Sequence, residues 1–383
     1  MMSAKIPVLV VGGSANALGV LRSLTHCELH LLCDSEQAPA WHSRWGQKHR
    51  SADTKAPTVV DELIQLAARF SGNKPVLLLT EEKTVVQVSA ARERLAPFYH
   101  FVFCDAAMLL ALQSKSGFQQ LANEVGAAIP QGRILSQLAD LALIDDLNYP
   151  CVFKPLEQNE AYSRQFKKAY KVSSAAEVAS LYPAIAAVMP QMIVQEWLEG
   201  ADSDIYFCLA YFDAKGQLLS SFTGRKLRSW PLQVGGTASC TAAPEAATEL
   251  TEKTVKFCQA IGYVGQMGME FKFDAQRGGF YMIEPTVGRT DYQHEIATLA
   301  GSNVLAAMVA SLAGQSIAHA TAPQHAFSKK VVWYDEIADA NALANGGPNV
   351  LCLDYQRVAA VWRWSDPTPG LMSFWRRLKR KLS

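Results

Sequence analysis

The sequence predicts a parallel α/β domain followed by an α+β part, on three observations. Within residues 1–110, short apolar runs alternate with helical segments, the order that builds a parallel sheet with crossover helices. Beyond residue 190, apolar stretches follow one another with one long helical segment among them, as strands of an antiparallel sheet do. The 383 residues, 49% of them hydrophobic, suffice to bury the cores of two or three such units.

Residues 7–11 (PVLVV) read as a buried strand, Gly12 to Asn16 as a turn, 17–24 as a helix and 28–33 as a second strand, which together make a βαβ opening. A helix at 59–70 and a strand at 75–79 continue it. Gly12, Gly13 and Gly19 do not make the G-x-G-x-x-G fingerprint, although Asp34 ends the second strand. The glycines serve the tight strand-to-helix turn, and the same turn can line a cleft at the strand ends. A helix starts at Lys115 and stops at Gly126, ahead of Pro130. Residues 152–155 (VFKP) form a short strand with Lys154 among apolar neighbours, and 157–171 read as a polar, unpatterned loop carrying Lys167, Lys168 and Lys171. An apolar strand at 192–196 runs into Glu196-Trp197-Leu198-Glu199-Gly200. Strands at 205–212, 218–223, 267–273 and 280–284, with a helix at 248–261 across them, complete the α+β part.

Composition narrows the function. Thirty-six basic against 35 acidic residues leave a formal charge of +1, so no nucleic-acid partner is expected and any anion site must be local. The eight cysteines stand singly, without a C-x-x-C pair or zinc-ligand spacing, as buried thiols of a reducing cytosol do. The N-terminal segment is too short in apolar residues for a signal peptide, and no run reaches the ~18 apolar residues of a spanning helix. A cytoplasmic protein is expected.

The chemistry concentrates in Glu270-Phe-Lys-Phe-Asp274, a turn, and Phe280-Tyr-Met-Ile-Glu284. A hairpin centred near Arg277 pairs Asp274 with Phe280, Lys272 with Met282 and Glu270 with Glu284. Like charges directly across a strand pair are destabilising, so two opposed carboxylates ask for a cation, and hard oxygen ligands suit Mg²⁺. Two solvated glutamates, or a register shifted by one residue, remain the alternative. Thr286 returns to the Glu284 face by strand periodicity, and Arg289 offers a planar fork for a phosphate or carboxylate. Residues 224–228 (GRKLR) and Val234-Gly235-Gly236-Thr237 add basic side chains and a glycine turn whose amides can face an anion, although such a charge run also suits a solvated face.

The order of these pieces resembles the ATP-grasp superfamily: an α/β domain, Lys115, Val-Phe-Lys154-Pro, Gln195-Glu196-Trp-Leu-Glu199-Gly, Arg225-Lys226, Glu270, and Glu284-x-Thr286. The likeness runs to about residue 315 and is greatest to carboxylate-amine ligases of the D-aspartate ligase kind. It implies a pre-ATP-grasp α/β domain at 1–110, then a two-lobed ATP-grasp fold with a small lobe at 111–190 and a large lobe with the metal site at 191–320, and a C-terminal segment at 321–383. It also implies ATP and Mg²⁺ as cofactors, with small-molecule carboxylate and amine substrates joined through an acyl phosphate. Lys115 and Lys154 would meet ATP phosphates and the adenine edge, Glu196 with the backbone at Trp197 and Leu198 the adenine, and Glu199 the ribose. Arg225, Lys226 and Arg289 would serve the reacting groups, and Glu270, Glu284 and Thr286 the metal.

Two departures stand out: the superfamily's Glu-x-Asn hairpin end is here Glu284-Pro285-Thr286, and residues 157–171 lack glycine richness. A carboxylase or kinase-like enzyme and an inactive nucleotide-binding module are the alternatives; no biotin-accepting Met-Lys-Met motif occurs. At the C-terminus, Leu371, Phe374, Trp375, Leu378 and Leu382 fall on one helical face, and Arg376, Arg377, Lys379, Arg380 and Lys381 cover the rest. This is the pattern of an interfacial helix, or equally of a tail that is solvated or docked on the enzyme's own body. Peripheral contact with the inner membrane face, and a homodimer, are compatible with the sequence.

Overall fold

The computed structural model describes residues 5–70, 72–156, 160–233, 235–315, 329–349 and 354–382, with residues 160 and 380–382 described by their backbone alone. Val234 of the glycine turn, residues 157–159 of the polar loop, and Cys352 lie outside the described residues.

The strands in chain order are β1 (Pro7–Val11), β2 (Glu28–Cys33), β3 (Gln47–Arg50), β4 (Val76–Leu79), β5 (Gly132–Leu135), β6 (Cys151–Pro155), β7 (Tyr170–Val172) and β8 (Met192–Glu196). They continue with β9 (Ile205–Phe212), β10 (Leu218–Trp230), β11 (Gly236–Ala242), β12 (Gly265–Asp274), β13 (Gly279–Val287), β14 (Val331–Tyr334) and β15 (Gln356–Ala359). Three sheets result, ordered β3-β2-β1-β4, β5-β8-β6-β7 and β13-β12-β9-β10-β11-β14-β15. The first is wholly parallel, the second antiparallel, and the third antiparallel except for the β14–β15 pair.

Every residue of β1 is buried, as expected of a parallel strand covered on both faces. Its side chains alternate between two cores. Leu9 and Val11 join Val85, Met267, Phe271 and Val287, so the parallel sheet and the large antiparallel sheet share one interior. Val8 and Val10 face the other way, towards Ile296, Leu305 and Trp333. A third core, with Phe153, Tyr182 and Val194, belongs to the small sheet alone. Strand β8 is central there, between β5 and β6, so a lobe boundary just before Met192 divides this sheet.

Three sequence expectations change. Residues 157–171 are not without structure: a helix spans Glu160–Gln165 and β7 begins at Tyr170. The strand expected at 218–223 runs on to Trp230, with register shifts between Lys226 and Ser229. In the hairpin, Glu270 does oppose Glu284, but Asp274 pairs with Gly279 and Lys272 with Tyr281. The turn is one residue shorter than expected because the Asp274 carboxylate accepts from the Gln276 and Arg277 amides at 2.9 and 3.2 Å, and Gly278 takes φ +64°. An irregularity between Glu270 and Phe271, with Ile283 as the extra residue opposite, then restores the carboxylate pairing.

Candidate active site

A cavity of about 510 Å³ opens between the small sheet and the large antiparallel sheet. The small sheet contributes Lys154 from near the end of β6, and Gln195 and Glu196 from the end of β8, followed by Trp197 and Leu198. The large sheet contributes Lys226 from β10 and the opposed pair Glu270 and Glu284 from β12 and β13. Lys115 enters at the first turn of helix Lys115–Glu124, whose N-cap Ser114 accepts from the Gly117 amide at 3.0 Å. Eight of the twelve residues singled out in the sequence therefore line one cleft.

The charges in it are interlocked. Lys226, 3% exposed, reaches both oxygens of Glu270 at 2.9 and 3.0 Å. Burial works to lower its pKa, but Glu270, Asp291 and Glu284 hold it above the ordinary value. Glu270 also accepts from Gln293 Nε2 at 3.2 Å. Glu284 keeps solvent-accessible surface in the cleft, yet the crowding of its carboxylate, and then Glu270, push its pKa up against the pull of Lys226, Lys115 and Lys154. Lys154 donates to Gln195 Oε1 at 3.4 Å; burial, and then Lys115, bring its pKa down to about 8. Three lysines and two carboxylates thus crowd one space.

A smaller cavity of about 110 Å³ adjoins it, sharing Lys115, Lys154 and Glu284 and adding Thr286, Arg289 and Glu82. The Thr286 hydroxyl lies 3.5 Å from Asp291 Oδ2, and Arg289 donates to the Thr290 carbonyl at 3.1 Å.

Three expected residues stand differently. Glu196 reaches the cleft, but its carboxylate already accepts from Asn148 Nδ2 at 2.7 Å and Arg277 Nη1 at 2.8 Å, while the Trp197 amide donates to the Pro150 carbonyl. Glu199 is exposed at the edge, 2.6 Å from Lys171, which also sits over the Trp197 ring. Arg225 precedes Lys226 on β10, so the pleat turns it to the opposite face, and it lines neither cavity.

No family model matches the chain. D-aspartate ligase of Enterococcus faecium is 23% identical over 319 residues, which cover 78% of this chain and 74% of that protein. Among solved structures, N5-carboxyaminoimidazole synthetase from Staphylococcus aureus complexed with ADP superimposes with a TM-score of 0.61 at 14% identity, over 82% of this chain and 79% of that one. The biotin carboxylase domain of the Hydrogenobacter thermophilus 2-oxoglutarate carboxylase, in complex with MgADP, does so with a TM-score of 0.61 at 14% identity, over 81% and 70%. The chain has the fold of an ATP-grasp enzyme. In that fold the cleft lies between the two antiparallel sheets, with the parallel sheet packed behind the larger.

Whether the ATP-grasp cleft suits a divalent ion can be judged from its donors. Among the described residues no three His, Cys, Asp or Glu side chains converge as a metal cage. Glu270 and Glu284 form a pair, and Glu270 raises the cost of charging Glu284, which is the setting Mg²⁺ relieves when phosphate oxygens and water complete its shell. Asp291 and Gln293 escaped the sequence reading, whereas Gln195 and Lys168 were named in it without a role of their own. Lys168 sat in a run read as a phosphate-covering loop, and Asp291 and Gln293 follow Thr290 in a stretch with neither strand nor helix periodicity.

Proposed function

We propose that the chain is an ATP-dependent ligase that joins a carboxylate to an amine through an acyl phosphate, releasing ADP and phosphate. The observation that carries this reading is the convergence of Lys115, Lys154 and Lys226 with the Glu270–Glu284 pair on one cleft, a set suited to a polyphosphate and its cation but lacking a covalent nucleophile. The sequence likeness to D-aspartate ligase supports an amide-forming reaction.

In this reading the adenine lies along Trp197 and Leu198, with the Leu198 amide as donor, and Glu196 braces the end of β8 through Asn148 and Arg277. Lys115 and Lys154 hold the phosphates. Glu270 and Glu284 would hold Mg²⁺, with Thr286 lining the adjoining cavity; the ion would supply neutralisation of the phosphate charge. The acid's carboxylate oxygen attacks the γ-phosphorus, the bond to the β-phosphate oxygen breaks, and ADP leaves. The amine then adds to the acyl carbon, loses a proton, and phosphate departs. Arg289, in the adjoining cavity, is placed to orient the acid and to stabilise the charge on its carbonyl oxygen. Arg225 serves β10 rather than the reacting groups.

For the lobes we propose 1–110 as expected, the small lobe at 111–196 so that its sheet stays whole, and the large lobe at 197–320. A cytoplasmic location accords with the use of ATP and with seven cysteines that are all free and buried.

The test is a panel of amino acids and small acids with ATP, Mg²⁺ and hydroxylamine. The correct acid gives its hydroxamate with equimolar ADP and phosphate. AMP and pyrophosphate would replace this mechanism with adenylation, and ADP release that no acid stimulates would point to a different phosphoryl acceptor.

A further inference from the structure

The C-terminal helix Thr368–Leu382 is held to the body by a face of small residues and one arginine. Pro369 is buried, and Gly370 lies so close to Trp362 that an added Cβ would stand 2.4 Å from the ring. Ser373 is half-buried, and Arg376 donates to the Gln37 carbonyl beside the 3-10 turn Pro39–His42. These positions follow the i, i+3, i+4 spacing of one helical face.

The opposite face carries Leu371, Phe374, Trp375 and Leu378, all exposed, with Phe374 at 61% and Trp375 at 54%. A helix docked on its own protein buries its apolar stripe. This one turns the stripe outward, and the exposed Trp364, 87% accessible, stands just before it. The charges around the stripe are of one sign. Residues 368–382 contain five of the chain's 36 basic residues and none of its 35 acidic ones, so the remainder of the chain is net negative.

From this geometry we infer that the outward face of helix Thr368–Leu382 is a docking surface for an anionic lipid bilayer. Aromatic and leucine side chains enter the headgroup boundary while the flanking arginines and lysines meet acidic headgroups. A second copy of the chain suits the face less well, because stripe-to-stripe pairing brings two sets of like charges together. Among the described residues no single helix is long and apolar enough to cross a membrane; a helix lying in the interface attaches reversibly.

The helix also has a route to the interior. It packs on the Pro39–His42 turn, whose Ala40 amide donates to the Gly13 carbonyl at 3.0 Å, at the C-terminal end of β1. Attachment therefore holds the strand-end side of the parallel sheet near the lipid surface.

The experiment is sedimentation of the full chain with phosphatidylcholine vesicles and with vesicles containing phosphatidylglycerol, alongside analytical ultracentrifugation without lipid. The wild type should pellet with the anionic vesicles and stay in solution with the neutral ones. Phe374→Ser/Trp375→Ser should lower the partition coefficient by about tenfold or more, and Arg377→Glu/Lys379→Glu should abolish anionic selectivity. Both variants alter outward positions, so an unchanged melting temperature checks that each is folded. A wild type that ignores anionic vesicles, or a double serine variant that binds as the wild type does, overturns the inference. A lipid-free dimer that the serine variant dissociates also overturns it, and gives the face to a second copy. None of these outcomes touches the hydroxamate result, so the two readings fail separately.

Discussion

At the residue scale, the cleft sets its lysines and carboxylates unequal tasks. Lys154 is brought down to about pH 8 by burial and by Lys115, from an ordinary 10.5. Its folded-state pKa is therefore depressed. Between roughly pH 8 and 10.5 the unfolded chain holds a proton that the folded chain has lost, and this group's contribution to stability rises with pH across that window. Phosphate binding runs the other way, since it needs the ammonium form. We expect kcat/KM for ATP to fall as pH rises through about 8, and Lys154→Arg to remove that limb because a guanidinium stays charged; an unmoved limb in the variant would assign it to another group. The two glutamates also separate. Glu284 is exposed, and its removal should cost catalysis alone, about 3 kcal/mol or 10²-fold in turnover. Glu270 holds the buried Lys226, so Glu270→Ala should lose both turnover and about 3 kcal/mol of folding stability. Urea denaturation of the two variants checks this, and equal midpoints would deny the Lys226 pairing its structural role.

At the element scale, β10 shows how a strand fixes which basic side chain enters the site. Gly224 lies against Phe207 and the Thr241 carbonyl, where an added Cβ would stand 2.3 Å from the ring and 2.8 Å from the oxygen. A valine there has to push the ring or the strand aside. We expect Gly224→Val to cost about 1–3 kcal/mol and to misplace Lys226 two residues on, so that turnover falls more than ATP affinity; a variant with wild-type melting and kinetics would show that the strand absorbs the group. This element also marks what the sequence could tell. The buried parallel strands were legible because every β1 residue is apolar, and the Glu270–Glu284 opposition because alternation survives a hairpin. It was found through two offsets that cancel, a shorter turn and a bulge at Ile283, neither of which has a hydrophobic signature. Helix Glu160–Gln165 was missed because six mostly polar residues show no apolar stripe, though Tyr162 is fully buried in the small core. Arg225 and Lys226 are equivalent as composition, and only the pleat and the shared core distinguish them.

At the scale of the whole molecule, the chain closes on itself. The parallel sheet and the large antiparallel sheet share an interior, and β14 and β15 extend the large sheet, bringing the C-terminal segment back to the first helix. The tie is Asp366, with no exposed surface, whose carboxylate accepts from Arg22 Nε at 3.2 Å, Ser43 Oγ at 2.8 Å and the Arg44 amide at 2.9 Å. Arg22 also donates to the Ala360 and Val361 carbonyls at 2.9 Å each. One buried carboxylate thus joins residues more than 300 positions apart, and it touches no side chain of the cleft. Removing it leaves Arg22 Nε, the Ser43 hydroxyl and the Arg44 amide without this acceptor, and the buried guanidinium hydrogen-bonded to backbone carbonyls alone. Breaking one side of a buried ion pair costs about 3–5 kcal/mol, so Asp366→Ala should lower the unfolding free energy by that order. Asp366→Asn, which keeps an acceptor oxygen for Ser43 or Arg44, should lose less. Because the damage is to the closure of the fold and not to the cleft, the kcat/KM of the folded fraction should remain within about twofold of wild type at low temperature. Thermal and urea unfolding read the first expectation and steady-state kinetics the second. An unchanged melting temperature would remove Asp366 as the closing contact, whereas a large fall in kcat/KM without loss of stability would couple the C-terminal segment to the reaction.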